Sequence, residues 1–157
     1  MIFVTVSTGH FDPLIEACDR LREKYEFFGQ IGMGTYIPQF KHVKTVPPDE
    51  LQKFMRDSEL VISHAGTGML SMLYKLRKKI IVIPKQTRYG ESNDGQVELA
   101  QKWDELKMAL LCMDVNALES ALERAKHFTP SFASFPKIGD CLTKEFDFRV
   151  KSSENAA

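Results

Sequence analysis

An excess of charge of either sign is missing from this chain: 21 Lys and Arg stand against 21 Asp and Glu over 157 residues. A domain that grips nucleic acid by its phosphates carries a basic excess, so composition gives no support for nucleic acid as a partner. Cysteine is scarce as well. Cys18, Cys112 and Cys141 are odd in number, far apart and never paired as CxxC, which argues against a zinc site and more strongly against a disulfide framework. A reducing, cytoplasmic compartment is expected. Long hydrophobic runs are also lacking. Nothing approaches the roughly 18 consecutive apolar residues of a transmembrane helix. The opening Met1-Ile2-Phe3-Val4-Thr5-Val6 has no basic n-region and is too short for a signal h-region. Membrane contact is therefore expected to be peripheral or supplied by a partner.

What is present suits one globular domain: 43% of the residues are hydrophobic, enough for a core at this length. Ile2 to Ser7 is a β-branched run that reads as a buried strand, followed by a helix with Asp12 as N-cap, Pro13 in its first turn and Leu14, Ala17, Cys18 and Leu21 on one face. Strands are expected at 27–31 and 42–46. A helix opens at Pro47-Pro48-Asp49-Glu50 and turns Leu51, Phe54 and Met55 inward. Leu60 to Ser63 is a fourth strand, and a helix to about Lys78 follows it. Ile80-Ile81-Val82-Ile83-Pro84 has the continuous apolar character of a central parallel strand. A helix from about Asp94 to Trp103, a strand from Met108 to Met113 and a helix from Val115 to His127 complete the pattern. Strand alternating with helix predicts an α/β, Rossmann-like open parallel sheet of about six strands with helices on both faces. Domain boundaries are expected at 1–128 for this unit and 129–150 for a segment carrying Phe132, Phe135, Phe146 and Phe148, which packs on the domain or on a partner. Residues 151–157 read as a disordered tail.

Ligands of open parallel sheets bind beyond the carboxyl ends of the strands. Three loops reach that edge: 7–12, 64–68 and 85–96. In His64-Ala65-Gly66-Thr67-Gly68 two glycines precede a helix, whose N-terminus offers unpaired N–H groups and positive dipole character to a phosphate or diphosphate. The same spacing also describes a plain tight strand-to-helix turn. His64 either donates to phosphate or bonds the backbone at a helix start. The basic cluster Lys75, Arg77, Lys78 and Lys79 reads as a solvated helix end, Met69, Met72 and Leu73 as core contacts, and Cys18 as buried.

Three motifs in order carry a resemblance. Val61-Ile62-Ser63-His64-Ala65-Gly66-Thr67-Gly68, then Ile83-Pro84, then Asn93-Asp94-Gly95-Gln96-Val97-Glu98-Leu99-Ala100 resemble the C-terminal, nucleotide-sugar-binding half of GT-B UDP-GlcNAc-type glycosyltransferases. The opening strand with Phe11-Asp12-Pro13-Leu14-Ile15 is similar to the same group. The nearest likeness is to stand-alone subunits: those of the PssE type in exopolysaccharide synthesis, towards which Arg88-Tyr89-Gly90-Glu91 leans, and the catalytic subunit of the bipartite dolichol-pathway GlcNAc transferase. The resemblance covers about residues 1–115 and implies a fold equivalent to one half of a GT-B enzyme.

What the resemblance implies is a donor-binding subunit of an inverting transferase that moves a hexose or N-acetylhexosamine from a UDP-sugar to a lipid-linked acceptor. It places the diphosphate on Gly66, Thr67 and Gly68, with His64 and Ala65 beside them. The first-strand loop supplies Ser7, Thr8 and Gly9, and the sugar hydroxyls meet Asp94 and Gln96, with Glu91 and Asn93 nearby. No metal or other cofactor is expected, and the UDP-sugar is the donor substrate. No residue stands out as the general base; His10 and His64 are the candidates within the chain. The implied partner is a membrane-anchored, acceptor-binding half that would hold the chain at the inner face of the membrane, with a homodimer as the alternative when alone. The pattern is broken in three places: Met72 stands where the family places a ribose-binding acid, Leu76-Arg77-Lys78-Lys79 replaces a Leu-Gly-Lys-Pro turn, and Gly95 replaces a histidine. A non-catalytic regulatory subunit and an independent nucleotide-binding enzyme are the rival expectations.

Overall fold

The computed structural model describes residues 1–132. Six strands form one parallel sheet: β1 (Ile2–Thr5), β2 (Phe27–Gln30), β3 (Lys41–Val43), β4 (Leu60–Ser63), β5 (Ile80–Val82) and β6 (Leu110–Leu111). Their order across the sheet is β3-β2-β1-β4-β5-β6, with Phe3 opposite Phe28 on one side and Val61 on the other. The chain starts in the middle, builds outward to β3, then returns to the far side of β1 for β4. The reversal makes the junction of β1 and β4 the topological switch point, where open α/β sheets leave a crevice at the strand ends.

Alternation along each strand sends side chains to opposite faces. Val4, Ile62, Ile81 and Ile83 meet Leu14, Ile15 and Cys18 of α1 (Asp12–Arg20) and Leu118, Ala121 and Leu122 of α5 (Leu118–His127). Phe3, Val61, Ile80 and Val82 meet the other three helices: α2 (Pro48–Asp57), α3 (Thr67–Lys75) and α4 (Gly95–Glu105), through Leu51, Met55, Met69, Leu70, Leu73 and Ala100. Strands β4 and β5 are buried on both faces, as their unbroken apolar sequence predicts. Cys18 is fully buried and its thiol is pushed far above its ordinary range by burial, so it is a core residue.

The N-cap of α1 and the basic cluster after α3 differ from expectation. Phe11, not Asp12, is the N-cap of α1, and it makes no side-chain cap bond. The Asp12 carboxylate reaches across to Thr35 and Tyr36 instead. No helix joins β2 to β3: an irregular loop, 31–40, makes that connection. The ends of α1 anchor it. Asp12 accepts from the Thr35 amide and hydroxyl and the Tyr36 amide, while Asp19 accepts from the Tyr36 hydroxyl and the Gln39 amide. Phe40 then tucks against Phe27. The basic cluster after α3 is also more engaged than a solvated end. Lys78 donates to the carbonyls of Arg56 and Ser58, and Lys79 to that of Ala125.

Phe132, the last described residue, stacks on Tyr74 and under the Arg77 guanidinium. The expectations for 133–157, including Phe135, Phe146, Phe148 and the tail, lie outside the described residues.

Candidate functional site

All three loops singled out in the sequence meet at the carboxyl edge, around β1, β4 and β5. The first turns sharply. Ser7 adopts φ of 61°, its amide bonded back to the Thr5 hydroxyl at 3.1 Å, and the Gly9 carbonyl accepts the Met33 amide at 2.8 Å. Gly32 is required there: its φ is +60°, and a Cβ would overlap the Gly9 carbonyl oxygen. Thr8 and His10 are exposed on this loop.

After β4 the chain passes His64, Ala65 and Gly66 and enters α3 at Thr67. Gly66 is the N-cap, and no side chain caps the helix. Its first amides are left to whatever approaches from outside. The two glycines of the turn differ in kind. A Cβ on Gly66 would press into the His64 ring, so that glycine serves internal packing. Gly68 is exposed, and a Cβ there would meet nothing within 4 Å. The fold makes no demand for glycine at 68, and the backbone there is open to close approach.

His64 lies between β4 and the other two loops. Its Nδ1 is buried without a hydrogen-bond partner. Burial first, and then the Lys85 charge, hold its pKa down at about 4, against a weak opposing pull from a backbone hydrogen bond to Thr5. The ring is therefore neutral at pH 7 and keeps one nitrogen free to bond.

The third loop brings Lys85, a residue that no motif had marked. Its side chain is only 12% exposed, its Nζ is 3.3 Å from Glu91 Oε1, and it stands 6.0 Å from the Phe11 ring centroid. A Cβ on Gly9 would sit 3.5 Å from that ammonium. Lys85, Glu91, His64 and Gly9 thus share one crevice. The signal for Lys85 was its place directly after Pro84, at the end of the strongest apolar strand. Gln86 was also missed: it is buried and donates to the carbonyls of Pro84 and Met113, fixing the loop's base.

Asp94 and Gln96 point partly into their own loop. The Asp94 carboxylate accepts from the Thr87 amide at 2.7 Å and hydroxyl at 3.3 Å, and Gln96 Oε1 accepts from the Lys85 amide at 3.2 Å. Asn93 bonds the Gly95 amide at the start of α4. Met72 lies one turn beyond Gly68, in a shallow cleft of about 290 Å³ with Gln52, Ser71, Lys75 and Leu76. Among the described residues no three His, Cys, Asp or Glu side chains gather in a way that would hold a metal ion.

Residues 1–137 match the model of the glycosyltransferase family 28 C-terminal domain. The chain belongs to that family. It is 35% identical over 117 residues to the human UDP-N-acetylglucosamine transferase subunit ALG13, and 30% identical over 115 residues to its mouse counterpart. Each match takes in 64% of this chain and 10% of the relative, so the chain spans about a tenth of the length of these curated relatives. A solved solution structure of ALG13 superposes with a TM-score of 0.59 at 19% identity, over 85% of this chain and 89% of that one. The architecture is that of the C-terminal half of a GT-B glycosyltransferase, as the three motifs imply.

Proposed function

We propose that this family 28 domain binds the UDP part of a sugar nucleotide and serves as the donor-binding subunit of a bipartite, inverting glycosyltransferase. The observation that carries this reading is Gly68: an exposed glycine with open space above it, on the uncapped first turn of α3, beside the switch point of the sheet. A helix N-terminus approached through a glycine suits a diphosphate, and the same dipole and amides would stabilise it as leaving group. Ser7, Thr8 and Gly9 border the diphosphate from the first loop. Glu91, Asn93, Asp94 and Gln96 face the sugar, a hexose or N-acetylhexosamine. His64 stands beside the first turn of α3 and shapes the wall of the phosphate position.

The acceptor in this reading is lipid-linked and is presented by a second, membrane-anchored half; no helix among the described residues is long and apolar enough to cross a membrane. The two ALG13 relatives are themselves named as transferase subunits, which supports assembly with a partner. Met72, in the cleft beside Gly68, favours the second reading, a subunit that binds nucleotide weakly and regulates a transferase. Calorimetry of the purified chain against UDP, GDP, ADP and UDP-hexoses is the test. UDP is expected to bind, and UDP-sugars more tightly, with transfer to lipid acceptor appearing only when the partner half is added. Absence of UDP binding, or full transfer by the chain alone, overturns the proposal.

A further inference from the structure

A half-buried ion pair stands in the middle of the candidate site, at the edge of the core beside Phe11. Lys85 keeps 12% of its side chain exposed and Glu91 32%, with 3.3 Å between Nζ and Oε1. Lys85 is anchored by its backbone: its amide donates to Gln96, and the next residue, Gln86, is buried and donates to the carbonyls of Pro84 and Met113. Its ammonium stands beside Gly9 on one side and acts on His64 on the other. Gly66 touches the His64 ring, so Lys85 is in the same crevice as the uncapped first turn of α3. Glu91, in contrast, follows the turn 87–90, which Arg88 ties to Asp114 and Met113 and Tyr89 to Phe11 and Val115, and its own amide donates to the Gln86 carbonyl. The lysine is the more enclosed partner of the pair, and the glutamate is the one nearer to solvent.

A lysine withdrawn from water needs an anion, and Glu91 supplies one while the site is empty. A diphosphate entering along the α3 N-terminus offers the same ammonium two stronger acceptors, with more than one negative charge. We propose that Lys85 is the cation that receives the donor diphosphate, and that Glu91 is its stand-in partner, displaced when the nucleotide binds. This rests on the donor-binding reading above and adds two things to it: a cationic residue for the phosphates, and a link between phosphate binding and release of the Glu91 side chain. Glu91, freed from Lys85, becomes available to the sugar hydroxyls, so the donor's own diphosphate completes its sugar pocket.

The test compares UDP with uridine, which lacks the phosphates. Lys85→Met is expected to weaken UDP by about tenfold or more, the scale of a charged hydrogen bond, and to leave uridine unchanged. Lys85→Arg should recover most of the UDP affinity. Glu91→Gln removes the competing anion and is expected to tighten UDP by roughly threefold, again without effect on uridine. An exposed lysine on α2, Lys53, replaced by Met serves as the control for loss of charge alone. Equal UDP affinity in Lys85→Met and wild type overturns the proposal, as does weaker UDP binding by Glu91→Gln. If Lys85→Met does not fold, the Glu91→Gln measurement decides. Failure of the wild type to bind either UDP or uridine overturns the donor-binding reading and this one with it; UDP binding that ignores Lys85 overturns this one alone.

Discussion

The two halves of the sheet's carboxyl edge are finished differently. Beyond β1, β2 and β3 the loops close on one another. Gly9 bonds Met33, Gly32 fits under Gly9, and the carboxylates of Asp12 and Asp19 take up the amides of 35, 36 and 39. Beyond β4 the edge is left open. Gly68 has nothing above it and no side chain reaches over the first turn of α3; a buried nitrogen of His64 has no partner, as has the buried Asp12 Oδ1 on the other side. Unsatisfied polar groups are costly in a finished structure. Each side keeps one such group, so the difference between them is access: the loops beyond β1 to β3 cover one another, whereas Gly68 stands open to solvent.

The comparison breaks first, and most visibly, at its two glycines. Gly32→Ala forces a Cβ into the Gly9 carbonyl at a left-handed φ of +60°. The expected cost is about 3 kcal/mol of stability, read as a large fall in the urea midpoint. Gly68→Val has no such collision, and on the fold it should cost no more than roughly 0.5 kcal/mol. Its side chain would instead stand in the path of the diphosphate, so UDP binding is expected to fall by about a hundredfold or more. A stable Gly32→Ala, or a folded Gly68→Val with wild-type UDP affinity, would reverse the roles assigned to the two sides.

Acid sharpens the same contrast. The pKa of His64 is about 4 in the fold, because of burial and then of the Lys85 charge, against an ordinary value of 6.5. Between those values the unfolded chain binds the proton and the folded one does not, so stability falls as pH drops from about 6.5 to about 4 and levels off below that. The loss reaches up to about 3 kcal/mol. Asp12, on the closed side, has its pKa lowered: burial pushes it up, but the hydrogen bonds from Thr35 and Tyr36 outweigh that. Its contribution is present above the ordinary carboxylate value and lost only as pH falls below it. Chemical denaturation across pH 4 to 7 should therefore show a slope that His64→Gln removes and Asp12→Asn leaves in place. A wild-type stability flat over that window would falsify the buried neutral imidazole.

Much of the open side was legible in the sequence. Strand β4 occupies the very residues expected, Leu60 to Ser63, since a short β-branched run bounded by polar and glycine residues has few other solutions. The turn at 64–68 announces a helix start through its glycines, although nothing local tells which glycine serves packing and which serves approach. That distinction depends on the His64 ring, a tertiary contact. The closed side was harder to read. Residues 31–40 carry no period, and what organises them is a pair of carboxylates more than a dozen positions away on α1. Asp12 looked like a cap because its local context suits one; its long-range bonds leave no local trace. Lys85 was hidden for the same reason, since an ordinary lysine after a strand becomes notable only when Glu91, Gly9 and Phe11 surround it.

The smallest expected effect concerns how complete the open side is. Gly68 and Met72 are four residues apart on α3 and so share a face, and both line the cleft with Gln52, Ser71 and Lys75. Of these side chains only Lys75 is charged, and none is an acid that could accept from ribose hydroxyls. A carboxylate placed at 72 would stand one turn from the diphosphate position, within reach of a ribose bound over Gly68, with Lys75 three residues on to balance its charge. Met72→Glu is therefore expected to tighten UDP by about 1 kcal/mol, roughly fivefold. The half-buried methionine packs on the β4 and β5 side of the core, so the variant should also be slightly less stable than wild type. Met72→Gln separates charge from shape, and 2′-deoxy-UDP separates ribose recognition from general electrostatics. If the gain is the missing ribose contact, it shrinks with Gln and disappears with the deoxy ligand. A gain that persists with 2′-deoxy-UDP, or a loss with both ligands, would place the ribose elsewhere on the edge and leave Met72 as a core residue alone.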